Sequence, residues 1–160
     1  MMKYKVVEKE EILVIGLKAE ANFHNIHLVT PQLARQFMPR LKEVTSRKDT
    51  YTLSLQHYNH FDYKTFNPNE GFEKWIGVEV THLDAVPKKM ETLFILSGRY
   101  LVIDFEGSIP QFIKHWQNIH STWLPNSEFE LDTRPHFERL PSSYNPMQKV
   151  NEEEIWIPIK

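Results

Sequence analysis

The sequence predicts an α+β fold of duplicated βαββ units, two antiparallel sheets each carrying a helix on one face. Three observations lead there. The period of the apolar residues runs strand, helix, strand, strand, and then repeats, over halves of about 1–82 and 88–160 of a 160-residue chain. Each half closes on a similar segment, Trp75-Ile76-Gly77-Val78 and Trp156-Ile157-Pro158-Ile159. A composition of 41% hydrophobic and 25% charged residues suits one globular domain spanning 1–160. Two small sheets, each with a helix behind it, leave a concave surface facing away from the helices, and ligand pockets favour such junctions.

The elements follow in order. Tyr4 to Lys18 is β-branched and apolar around Glu8-Lys9-Glu10-Glu11, which predicts a long or bulged first strand. Thr30-Pro31 signals a helix start, because the hydroxyl can cap free amides and proline suits the first turn. Leu33, Ala34, Phe37, Met38, Leu41 and Val44 then recur on one face, with Pro39 predicting a kink or an early end. Tyr51 to Tyr58 alternates as a half-buried strand, and Asn59 to Gly71 reads as polar and aromatic loop. Trp75 to Val80 alternates again. Glu91 to Glu106 carries two apolar runs broken at Ser97-Gly98, a strand pair or one bent strand. Ser108 opens a second helix in which Ile109, Phe112, Ile113, Trp116, His120 and Trp123 keep helical spacing until Pro125. Arg134 to Leu140 and Glu154 to Ile159 supply the last two strands.

A formal net charge of −2 offers no broad attraction to phosphate backbones, so neither nucleic acid nor a membrane is expected as a direct partner. There are no cysteines, which removes disulfides, thiol nucleophiles and thiolate metal sites, and suits the cytoplasm. The longest apolar run, Ile12 to Leu17, is far short of the ~20 residues that span a bilayer. The pairs His24/His27 and His57/His60 share a three-residue step that does not hold both rings on one side, so no metal is expected. No nucleophile motif and no glycine-rich phosphate loop stand among the five glycines, and no cofactor is expected.

Several segments carry a family resemblance: Gly77-Val78-Glu79-Val80, the strand from Gly98-Arg99-Tyr100 to Gly107, Trp116, Trp123-Leu124-Pro125-Asn126-Ser127, Pro135-His136-Phe137-Glu138 and Glu154 to Ile159. In their order and spacing the chain resembles the GyrI-like effector-binding domains, the ligand-sensing module also attached to certain AraC-type and MerR-type multidrug regulators. The resemblance implies a central pocket lined by aromatics around one buried acid that meets cationic or electron-poor ligands. Residue by residue, that acid is Glu138. The family typically carries Tyr two residues after it, where Leu140 stands here, so that wall is missing or supplied by Tyr144. Tyr100, in the matched strand, is a further expected ligand contact. Free-standing relatives bind drugs, one inhibits DNA gyrase, and some look like hydrolases that open cyclopropane-containing toxins. With a first strand at Tyr4 and a last ending at Ile159, this copy is expected to be free-standing.

Strand alternation gives a separate reason to consider Glu138. If Phe137 points into the core under the helix, His136, Glu138 and Leu140 point to the pocket. By the same logic Ile155, Ile157 and Ile159 go to the core, Trp156 shares the pocket face with Glu154, and Trp75 shares it with Glu79. Aromatic faces attract cations by about 0.5 to 2 kcal/mol each, and a carboxylate adds directional charge. The expected function is binding of lipophilic or cationic small molecules, with Glu138 as anchor and Trp75 and Trp156 as stacking walls. The alternatives are a hydrolase in which Glu138 is catalytic and activates water, and a gyrase-modulating interaction protein. Against these stand plainer roles: Glu138 as a solvated residue paired with Arg134 or Arg139, Trp75 and Trp156 as packing, and Trp116 and Trp123 as a core stripe.

Overall fold

The computed structural model describes residues 2–65 and 67–160; positions 1 and 66, the latter inside the expected 59–71 loop, lie outside the described residues. The strands are Tyr4–Lys9 (β1), Ile12–Ala21 (β2), Thr52–His57 (β3), Phe72–Val80 (β4), Glu91–Ile95 (β5), Gly98–Gly107 (β6), His136–Leu140 (β7) and Asn151–Ile159 (β8). The helices are Ile26–Phe37 (α1), continued by a 3-10 turn over Met38–Glu43, and Ile109–Asn118 (α2), continued by a π-helical turn over Ile119–Trp123. The expected first strand is therefore two strands, parted at Glu10-Glu11, that pair with different neighbours: β1 with β6, and β2 with β4 and β5. The break at Ser97 likewise separates β5 from β6, which do not pair with each other.

Local chemistry accounts for the helix bounds. α1 starts four residues ahead of Thr30, where Asn22 Oδ1 accepts from the amides of His24 and Asn25, and Asn25 Oδ1 accepts from the amide of Asn22. Pro31 thus lies within the helix, and Pro39 marks the change to the tighter 3-10 turn. α2 begins as expected at Ser108, in a capping box closed by Gln111.

The expectation of two sheets is corrected. The strands form one antiparallel eight-stranded sheet in the order β1-β6-β8-β7-β3-β4-β2-β5. β3 and β7 pair in register from Thr52 opposite Leu140 to Gln56 opposite His136, and this ladder joins what would otherwise be separate sheets. The sheet curls strongly: Lys9 on β1 reaches Glu79 on β4 at 3.2 Å although four strands lie between them in the sheet.

Curling buries both faces. On the outer face, Leu33 and Phe37 of α1 pack on Ile15, Ile76 and Val78, while Ile119 and Leu124 pack on Leu101, Ile103, Ile155, Ile157 and Ile159. On the inner face, Val14, Leu55, Trp75, Tyr100, Phe137 and Trp156 form a further apolar core. The concave surface expected to hold a ligand is thus filled with side chains, because a curled sheet brings its own inward residues into contact.

The curl depends on glycine at one crossing. Gly16 of β2 faces Gly77 of β4, and a Cβ at position 77 would stand 2.6 Å from the carbonyl oxygen of Ile15. That oxygen belongs to the backbone and cannot step aside. Gly77→Ala is expected to cost about 1 to 3 kcal/mol of folding free energy, read as a shift in the urea unfolding midpoint.

Candidate functional site

α1 packs on β2 and β4, and α2 packs on β6, so β3 and β7 form the floor of a cleft between the helices. Residues opposite one another in a ladder share a face, which places Ser54 beside Glu138 and Gln56 beside both His136 and Lys74. Glu138 also stands opposite Ile155, whose side chain lies under α2, so its carboxylate faces the helix side. Glu153 lies on that side as well, two residues before Ile155. Where the helices cover the sheet this face is apolar. Between them it is polar.

Lys74, Glu138 and Gln56 are deeply buried, Lys74 with 1% and Glu138 with 8% of its surface exposed. Gln56 Nε2 donates to Glu138 Oε1 at 3.1 Å, and Lys74 Nζ donates to Ser54 Oγ at 2.6 Å. Among the described residues no ion pair closes between Lys74 and Glu138. Burial raises the Glu138 carboxyl well above the usual carboxylate range against the pull of Lys74, and burial lowers the Lys74 ammonium. Glu153 is pushed up to about 8 by burial and by the charge of Glu138. Tyr144, between β7 and β8, is raised to about 12 by burial and then by Glu153 and Glu138. The floor therefore holds two acids that keep protons near neutrality beside one weakened ammonium.

An aromatic layer covers this floor. Phe61 lies 4.8 Å from Tyr58, 5.9 Å from Trp116, 5.2 Å from His120 and 5.6 Å from His136, between ring centroids. Tyr58 continues the layer to Phe72 at 4.8 Å, and Phe23 joins it to Trp116 at 5.7 Å. The rings come from both helical sides, the floor and the loop after β3. Against Phe23 and Phe72 they leave a void of about 10 Å³, scarcely room for one water.

The structure brings together Glu138 and Tyr144 of the expected site, and separates Trp75, Trp156 and Tyr100 from them. Phe137, opposite Trp156 and Leu55, faces the inner core and not the helix; the expectation that it packs under a helix is corrected. Glu138 faces the helix side of the sheet, opposite to the face that carries Phe137. Trp75 and Trp156, 2% and 6% exposed, lie on the far side of the sheet. Their indole nitrogens donate to Glu73 at 3.2 Å and Glu154 at 3.0 Å, with Lys18 and Arg139 over the respective rings. Tyr100 meets Trp156 edge to face, with ring centroids 5.5 Å apart, and donates to the carbonyl of Pro135. All three pack into the inner core, and Glu154 and Glu79 face their side, held by Arg139 and Lys9. Trp75→Phe is accordingly expected to lower stability by about 1 to 3 kcal/mol, seen in thermal denaturation, while cation affinity in the folded protein stays within about twofold.

The solvated reading of Glu138 is also set aside: Arg134 pairs with Asp132, and Arg139 with Glu154 and Asp49. Trp123 packs on the outer core as expected, whereas Trp116 belongs to the aromatic layer. Lys74, Glu153 and Gln56 were not anticipated, yet Lys74 continues the helix-facing register of Ile76, Val78 and Val80, and Glu153 that of Ile155. A charge at the end of an apolar register was the available signal. Among the described residues no group of three or more side chains is arranged to hold a metal, and no helix is long and apolar enough to cross a membrane.

This fold, with a polar floor between two helices, is that of a ligand-binding module. The sequence model of the GyrI-like small molecule binding domain matches residues 2–160, and the chain belongs to that family. No functionally curated protein matches it by sequence. Among solved structures it is similar to SAV2435 bound to tetraphenylphosphonium, at a TM-score of 0.74 and 15% identity, covering 99% of this chain and 94% of that one. It is similar to the EcmrR C-terminal domain at a TM-score of 0.67 and 12% identity, over 100% and 98% of the two chains. A hydrolase encoded by lin2189 from Listeria innocua gives a TM-score of 0.54 at 10% identity, over 99% and 92%. At such identities the likeness is one of fold.

Proposed function

We propose that the cleft between α1 and α2 binds lipophilic, cationic or electron-poor small molecules, with the two βαββ halves acting as one ligand-binding unit. Glu138 is the charged anchor, Tyr144 stands where the family's aromatic is absent at Leu140, and Tyr58, Phe61 and Trp116 supply the flat walls. The observation that carries this reading is the Glu138 carboxylate, buried on a floor it shares with Glu153 and covered by aromatic rings. A buried acid without an ion-pair partner gains most from a cation that brings its own apolar shell, since that ligand loses little hydration on entry. The tetraphenylphosphonium complex of a structural neighbour supports the same ligand class.

Calorimetric titration with tetraphenylphosphonium should saturate at one cation per chain, with parallel quenching of Trp116 emission. No saturable binding of this cation or of acridinium dyes would remove the proposal.

A second reading draws on the raised carboxyls of Glu138 and Glu153 beside Tyr58 and Tyr144. An acid poised near neutrality can direct water onto a strained electrophile and return a proton to the opened product. Incubation with a cyclopropane-containing aromatic alkylating compound separates the two readings. Hydrolysed product that disappears in Glu138→Gln supports catalysis, and saturable binding without product supports the binding module alone.

A further inference from the structure

His120 is a buried polar side chain of the cleft that neither reading uses. His120 lies in the π-helical turn Ile119–Trp123 that follows α2. Such wide turns admit an extra residue and re-aim the side chains around it, and they recur at binding sites. Here the imidazole is turned inward, 2% exposed, with ring centroids of Trp116 at 4.5 Å, Phe61 at 5.2 Å and His136 at 5.9 Å.

Neither Nδ1 nor Nε2 of His120 has a hydrogen-bond partner among the described residues. Burial lowers its proton affinity to about 4, so near neutrality the ring is uncharged and offers one donor and one acceptor. Buried polar groups are nearly always paired, and a side chain with both nitrogens unmet calls for a reason. His136, the polar neighbour at 5.9 Å, makes no hydrogen bond with it among the described residues, and the polar groups of the floor are engaged with one another, Gln56 with Glu138 and Lys74 with Ser54. The rings of Phe61 and Trp116 that surround it offer no acceptor in the imidazole plane.

We infer that His120 is the selectivity residue of this cleft, hydrogen-bonding an amino, hydroxyl or carbonyl group carried on the aromatic body of the bound molecule. The inference rests on the cleft being the ligand site. Phe61 sets the orientation of that aromatic body: its ring stands at 83° to the imidazole and 5.2 Å from it, so a planar ligand stacked on Phe61 turns its edge, with any ring substituents, toward His120. The preferred ligands are therefore planar aromatic cations with polar ring substituents, ahead of bare lipophilic cations.

A matched pair of dyes tests this: 10-methylacridinium, which has no hydrogen-bonding group, and 3,6-diamino-10-methylacridinium. Calorimetry at pH 7.5 should show the wild type preferring the diamino dye by about tenfold, the worth of one well-made buried hydrogen bond. His120→Phe, which keeps an aromatic ring in the layer, should reduce that preference to within about twofold while leaving the bare dye unchanged. His120→Gln should restore part of it. Thermal melts of both variants establish that they are folded.

No preference in the wild type, or an undiminished one in His120→Phe, overturns the inference. So does an equal loss for both dyes. Glu138→Gln should weaken the two dyes alike; if it weakens neither while His120→Phe abolishes the preference, the anchor is misassigned and the role of His120 stands. Failure of both dyes to bind the wild type overturns both.

Discussion

Glu138→Gln is expected to weaken tetraphenylphosphonium binding by about 100-fold, or roughly 2.7 kcal/mol, with little change in folding. The glutamine keeps the shape of the side chain, and its amide oxygen still accepts from Gln56 Nε2, the bond that holds Glu138 at 3.1 Å. What disappears is the negative charge, in a place where water cannot substitute for it. Removing one partner of a desolvated charge contact costs about 2 to 5 kcal/mol in measured interfaces, and the loss falls mainly on dissociation. Calorimetry on wild type and variant, with melting curves alongside, measures both quantities. Retention of affinity within about threefold would show that Glu138 does not hold the ligand's charge.

Cation affinity should also climb steeply with pH, by up to about tenfold per unit between pH 5.5 and 7.5, and level off above the free-protein value of Glu153, about 8. In the free protein burial keeps Glu138 and Glu153 protonated near neutrality. A bound cation favours their ionised forms, so binding releases a proton and strengthens as protons become scarce. Lys74 acts in the same direction, because its lowered ammonium discharges at the upper end of the range and takes a positive charge out of the cleft.

The unliganded protein should show the opposite slope in stability. The folded acids titrate above the ordinary 4.5, so between that value and the folded ones the native state holds more protons than the unfolded chain. The buried, uncharged imidazoles of His120 and His136 act in the reverse sense up to their ordinary 6.5, so stability is roughly level from about pH 5 to 6.5 and declines as pH rises from there toward 8, by up to roughly 1.4 kcal/mol per unit for each proton held. Calorimetric titrations in buffers of different ionisation enthalpy count the released protons directly. A flat affinity profile with no proton release would exclude the raised acids from the ligand contact.

Much of the element order was legible because it is written locally. The capping box at Ser108 and Gln111 and the helix-facing set Ile155, Ile157 and Ile159 depend on neighbours in sequence, and the structure agrees with both; the strand Thr52–His57 is also present, but it is buried on both faces and not half-buried, since Ser54 and Gln56 are covered as well as Leu53 and Leu55. The seam between β3 and β7 was not legible, since pairing between residues about 80 positions apart leaves no trace in either segment. The facing of Phe137 failed for a different reason. An apolar side chain marks a buried face only when the other face meets solvent, and here a second core fills the inside of the curl. Apolarity at position 137 thus could not say which face was the helix side, and the same ambiguity moved Trp75 and Trp156 into the site. Phe61 and Tyr63 lie in a segment recognised as loop, where a run of large rings needs a surface to bury against.

The continuous ladder under the cleft divides the labour of recognition. Glu138, Gln56 and Ser54 are fixed by backbone pairing within a sheet that cannot shift one strand without disturbing both flanks. The rings above them, Tyr58 and Phe61, come from a connection outside that scaffold. The acid of the floor is thus built into the framework, while Tyr58 and Phe61, which close over it opposite His120, sit on a segment that the sheet does not constrain. Sequence drift between residues 58 and 71 can therefore retune what the module admits while its foundation stays intact.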